Sequence, residues 1–273
     1  MSSPGVATVY RWELRKLRSQ KRTYMGFAIA IAIPLIFVIA LALQNGQPEG
    51  ILFGRYVRQS GFAIPLVVLI FGSIWLFPLV TSLVAGDIFA SEDHNGTLKT
   101  ILTRSLDRGE IFAGKVLAAV SYAAFALILM GIVAIVAGGL ESGFNSLTTL
   151  SGTKVGPAKA LGLVAASLGV YLLPMLAIAS IGLLLSTITR NSAAAVVGAL
   201  MIALVLQIGS IIPGLDEIRP YLLPRQFDAW QGLLREPTDW APIGRAAWVC
   251  AAYAVPSLFA AYLVFLRRDV AGG

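Results

Sequence analysis

Six long apolar stretches constrain this chain more than any other feature. They cover residues 24–43, 61–85, 116–140, 160–188, 192–212 and 246–266, and none contains Asp, Glu, Lys or Arg. An α-helix needs roughly 20 residues to cross about 30 Å of hydrocarbon. A charge at the centre of such a helix costs about 2.5–3.5 kcal/mol on insertion scales. The pattern therefore predicts an all-α membrane protein with six transmembrane helices.

Composition supports that reading. Only 13% of residues are charged, against about 25% in a soluble domain. The connections are too short for a separate soluble domain, since domains begin near 50 residues. Residues 1–273 thus read as one transmembrane domain. The single cysteine, Cys250, lies in the last apolar stretch and reads as a packing residue. The first apolar run is too long for a signal-peptide core, so cleavage is not expected.

Charge gives an orientation. With six spans both termini face one side, and thirteen of the 21 Lys and Arg residues then fall on that side. The excess predicts both termini in the cytoplasm. A net charge of +7 is accounted for by these flanks and implies no nucleic-acid partner.

Residues 6–22 carry Val6, Val9, Tyr10, Leu14 and Leu17 at three- and four-residue spacing, with Arg11, Arg15, Lys16, Arg18 and Arg22 between them. This predicts an amphipathic helix lying on the inner membrane surface. Glu13 interrupts its apolar stripe and suggests pairing with Lys16 or Lys21, or contact with a partner. On the opposite side, residues 141–159 read as a flexible Gly/Ser/Thr-rich loop. Residues 213–245 read as an outer cap, with aromatic residues at headgroup level and a short amphipathic helix over 225–235. Pro34, Pro174 and Pro256 predict kinks within spans. Ser73, Trp75, Thr81 and Gln207 are candidate contacts along a substrate path, Gln207 being the one amide well inside a span.

The connection over 86–115 differs from the others. It is the longest on the cytoplasmic side and holds charges of both signs. Leu98, Ile101 and Leu102 lie at i, i+3 and i+4, which predicts a short helix with a narrow apolar face. Ser91 or Asn95 would cap it, and Glu92 and Asp93 suit a helix N-terminus. Acidic residues at its start disfavour an anionic lipid surface, so docking into a protein groove is the better reading.

The run from Glu92 through Gly96, Thr97 and Leu98 to Arg108 and Lys115 resembles the type-2 family of ATP-binding cassette (ABC) transporter permeases. The six spans and the basic amphipathic start match that family as well. Ser105 stands where the family often carries Pro, a change that would lengthen the helix. The resemblance implies that 86–115 holds a coupling helix between spans two and three, seated in a separate ATPase subunit. Leu98, Ile101 and Leu102 would supply the seat, with Gly96 and Thr97 in the motif and Glu92, Lys99 and Arg104 as charged flanks. Arg108 and Lys115 would act as snorkelling anchors at membrane re-entry. It further implies two ATPase copies binding ATP and Mg, a second or related permease chain, and a place in the cytoplasmic membrane. The chain would be the permease of an exporter moving an amphipathic or lipid-like substrate or drug. Alternatives are a membrane component of a maturation or assembly complex, and a secondary transporter.

Residues 109–115 match a phosphate-binding loop up to the last position, where Val116 replaces the Ser or Thr that holds magnesium. No strand precedes them. The chain is thus expected to hold no nucleotide, cofactor or metal of its own and not to be an enzyme. His94, the single histidine, reads as a solvated loop residue.

Overall fold

The computed structural model describes residues 5–44, 50, 52–94, 107–189 and 191–267. Helix α1 (Val6–Ser19) ends where Gln20 turns extended, and α2 (Lys21–Leu43) starts at once. The second apolar stretch forms two helices, α3 (Ala63–Gly72) and α4 (Leu76–Ala85). A short α5 (Ala90–His94) follows, then the long α6 (Arg108–Ser142) and α7 (Pro157–Thr189). Helix α8 (Ser192–Gly209), a one-turn α9 (Leu223–Gln226) and α10 (Ala241–Leu266) complete the helices.

Five of these helices, α2, α6, α7, α8 and α10, are long and apolar enough to cross a membrane. The α3–α4 pair makes a sixth candidate, bent by 65°. One span over 61–85 was expected, and the bend has local causes. Ser73 Oγ donates to the Ile70 carbonyl at 2.7 Å, competing with the helix ladder. A Cβ on Gly72 would lie 2.5 Å from the Phe77 ring, so only glycine lets the two halves fold this closely. Pro78 falls in the first turn of α4, where its missing N–H costs little. Pro34, Pro174 and Pro256 lie inside helices that continue past them.

The bundle buries α3, α4, α6 and α7 most deeply. Exposed Ile, Val, Leu and Phe side chains cover the outside of α2, α6, α8 and α10, as lipid-facing helices require. The segment after α6 forms a small antiparallel hairpin, β1 (Leu147–Thr148) against β2 (Lys154–Val155), with Gly152 at φ 81° in the turn. A flexible Gly/Ser/Thr-rich loop was expected there.

The cap also differs from expectation. In place of one amphipathic helix over 225–235, it folds as a 3₁₀ turn (Arg219–Tyr221), α9, and a second 3₁₀ segment (Ala229–Leu234). Phe227 and Trp230 face the bundle, where Phe227 packs edge-on against Tyr171 at 4.8 Å and Trp230 stacks on Phe53 at 6.2 Å. Their burial outweighs helix continuity. Tyr221 and Trp240 stay exposed.

Candidate functional site

The polar centre of the molecule lies where α1, α5 and the start of α6 meet. On α1, Val9, Glu13 and Leu17 form the buried stripe at four-residue spacing, while Arg11, Arg15 and Arg18 face outward. Glu13 therefore belongs to the stripe. Helix α1 lies close against α6 because Gly114 has no side chain: a Cβ there would be 2.6 Å from Val9 Cγ1. Tyr10 and Ser121 share a 2.8 Å hydrogen bond across the same seam.

That approach brings four charges together. Lys115 Nζ lies 2.7 Å from Glu13 Oε1 and 2.7 Å from Glu92 Oε2, and donates to the Ile88 carbonyl at 3.2 Å. Lys16 Nζ lies 2.6 Å from Glu92 Oε1 and 3.9 Å from Glu13 Oε2. The signs alternate around a closed ring, which is neutral. Lys115 is 0% exposed, Glu92 4% and Glu13 6%. The Phe89 ring lies 5.5 Å from the ammonium and closes one side. Lys115 was expected to snorkel at the membrane edge. It sits instead about two turns inside α6, held by carboxylates on α1 and α5.

A second junction pins the neighbouring backbone. Arg22, at the start of α2, pairs with Asp87 and donates to Ser192 Oγ at 3.1 Å, while Ser192 Oγ donates to Asp87. Ser186 Oγ on α7 accepts from the Phe89 and Ala90 amides at 3.1 and 3.0 Å, groups at the start of α5 that no helix turn satisfies. A Cβ at Gly86 would meet the Val196 amide at 2.8 Å, so this loop packs directly on α8. Residues 86–92 are thus tied to α1, α2, α6, α7 and α8 together. Composition and spacing do not point to Arg22, Asp87, Ser186 or Ser192. The sole sequence signal for the ring is Glu13, an acid inside an apolar stripe.

Of the expected coupling residues, Glu92 sits in this ring. Gly96, Thr97, Leu98, Lys99, Ile101, Leu102 and Arg104 lie outside the described residues. Arg108 donates to the Leu266 carbonyl, fastening the start of α6 to the end of α10. The stretch 109–115 is helical throughout, so it forms no loop that could wrap a phosphate.

The expected path residues separate. Ser73 and Gln207 line one small cavity with Pro78, Leu223 and Phe227, where the α3–α4 bend meets the cap. Trp75 is 58% exposed on the bundle surface. Thr81 is buried in α4, away from that cavity, and its hydroxyl has no hydrogen-bond partner among the described residues.

Burial pushes the Glu92 carboxyl up, but Lys115 and Lys16 outweigh it and hold the group below its ordinary value of 4.5. A lowered folded-state pKa stabilises the protein above the unfolded value, and that contribution is lost as pH falls through the folded one. Thermal stability in detergent should therefore drop as pH falls below the ordinary carboxylate value of 4.5. Glu92→Gln, less stable at pH 7, should show a smaller acid-induced drop. Parallel melting-point profiles of the two proteins would count against Glu92 as the titrating group.

Residues 10–210 match a family model described as ABC-2 family transporter protein. The matched region includes most of α1, both polar junctions and the loop over 86–115. A comparison with curated proteins gives no match.

Proposed function

This chain belongs to the ABC-2 transporter family and is a multi-pass ABC permease subunit, and we propose that it couples a separate ATPase to export of an amphipathic or lipid-like substrate. Members of this family normally work with an ABC ATPase. We assign that partner two copies, each binding ATP and magnesium, and a seat for the coupling helix of the 86–115 loop. A second copy of this chain, or a related permease, completes the path. Both termini face the cytoplasm of a cell-membrane protein.

The observation that carries this reading is the ring of Glu13, Lys16, Glu92 and Lys115. It fixes the root of the 86–115 loop to α1 and α6 through buried charges. A push on a loop that ends in a rigid joint moves the helices, whereas a push on a slack loop is absorbed locally. Buried ion pairs add little net stability but penalise displacement strongly, because separation leaves charges unpaired. That suits an element that must transmit movement.

The test is reconstitution. The purified chain alone in liposomes should hydrolyse no ATP. Together with its ABC ATPase partner, it should show magnesium-dependent turnover and ATP-driven movement of a fluorescent phospholipid away from the ATPase side. Movement toward that side would overturn export. Turnover with no movement of lipid or amphipathic dyes would favour a role in assembly.

A further inference from the structure

The cap holds a cavity of about 370 Å³, within the size range of small-ligand sites. Its lining includes Arg219, Arg225, Arg235 and Arg245 against Asp216 and Asp228. These cations are unequally engaged. Arg219 pairs with Asp216 at 2.8 Å and donates to the Ile212 carbonyl at 3.1 Å. Arg235 lies 3.6 Å from Asp239 at the exposed rim. Arg225 gives one long hydrogen bond, 3.4 Å, to the Ser210 carbonyl. Arg245 has no hydrogen-bond or carboxylate partner among the described residues. Burial pushes the Asp228 carboxyl up, against the pull of Arg225. The lining is net cationic, with guanidinium donors to spare.

Its place relative to the membrane follows from α10. The cavity includes Pro242 and Arg245 at the start of that helix, while Arg108 beside the charge ring binds its last turn. Twenty-six residues of α10 span about 39 Å at 1.5 Å per residue, enough to cross a bilayer. The cavity therefore opens at the membrane face opposite α1. Tyr221 and Trp248, with ring centroids 5.6 Å apart, and Trp240 are exposed beside it. Exposed aromatic side chains of this kind mark the headgroup level. One wall is fixed, because Asp239 donates its amide to the Gly232 carbonyl at 3.0 Å and a Cβ on Gly232 would collide with the Asp239 carbonyl at 2.2 Å.

We propose that this cavity binds the phosphate of an anionic phospholipid headgroup, gripped by Arg225 and Arg245. Guanidinium groups match phosphate oxygens with paired, charge-assisted hydrogen bonds. The site is distinct from the ATPase end and depends on neither the coupling mechanism nor the direction of transport. A lipid with an uncompensated negative phosphate fits the net positive lining. Choline in phosphatidylcholine brings a cation that the four arginines repel.

Native mass spectrometry of the full chain in detergent, titrated with phosphatidylglycerol or phosphatidylcholine, tests this. Wild type should retain phosphatidylglycerol about tenfold more strongly than phosphatidylcholine, and Arg225→Gln/Arg245→Gln should lose about tenfold for the former only, the scale of one charge-assisted contact. If that variant melts well below wild type, Arg245→Gln alone, at a half-buried position, carries the same comparison with a smaller loss. Equal retention of the two lipids by wild type would overturn the proposal. So would unchanged phosphatidylglycerol binding in a folded variant. Inorganic phosphate at millimolar concentration should leave the bound lipid in place; one-for-one displacement would assign the site to free phosphate and overturn the lipid reading.

Discussion

Lys115→Ala should be among the most damaging single substitutions in this chain, destabilising it by about 3–5 kcal/mol. The lysine is fully buried and lies 2.7 Å from both Glu13 and Glu92. Its removal leaves Glu13 facing only Lys16 at 3.9 Å, a contact too long to replace a hydrogen-bonded pair. The penalty is that of an unpaired charge in a dry site, which exceeds the modest net worth of the original pair. A double substitution separates these terms. Lys115→Met with Glu13→Gln keeps volume nearly constant and removes both charges, while Glu92 retains Lys16 at 2.6 Å. It should recover more than half of the lost stability. The measurement is the melting temperature in detergent of wild type, Lys115→Ala, Lys115→Met, Glu13→Gln and the Lys115→Met/Glu13→Gln double variant, the last three and wild type read as a mutant cycle. If Lys115→Ala melts like wild type, the ring does not hold α1 and α5 to α6.

The ring also shows where sequence reasoning reaches and where it stops. Five spans were legible because their signal is local: about 20 uncharged apolar residues admit few alternatives in water or lipid. The second was legible as an apolar stretch but not as a bent pair of helices. An apolar run over 61–85 looks the same straight or broken, and the bend depends on Phe77 folding back over Gly72. The charges were misplaced for a related reason. In a sequence, a lysine next to an apolar run marks its edge, so Lys115 read as an anchor. Its true partner, Glu13, is 102 positions away, and no periodicity connects them. Glu13 broke the apolar stripe of α1, which signalled that something unusual met it, but only tertiary packing says what. The cap was misread on the same account. Phe227 and Trp230 are as consistent with a lipid interface as with a core until Tyr171 and Phe53 appear beside them.

Leu98→Asp should leave the permease folded and abolish its partnership with the ATPase. Leu98, Ile101 and Leu102 lie outside the described residues, so this expectation rests on their i, i+3, i+4 spacing and on the family resemblance of the Gly96-Thr97-Leu98 run. A carboxylate forced into an apolar groove without a partner costs several kcal/mol. That is enough to weaken a micromolar association about a hundredfold or more. Co-purification of the ATPase and permease-dependent ATP hydrolysis should both collapse, while melting temperature and membrane insertion stay at wild-type values. Glu92→Arg provides the contrast. From sequence alone it would be the milder change, at an exposed flank screened by solvent. In the fold Glu92 is buried between Lys16 and Lys115, so an arginine there sets a third cation beside two. Its damage should appear first as lost thermal stability, with uncoupling as the consequence. The two variants thus separate docking from anchoring. If Leu98→Asp retains the ATPase and its turnover at wild-type levels, the run from Gly96 to Leu102 is not the docking element, whatever the ring does.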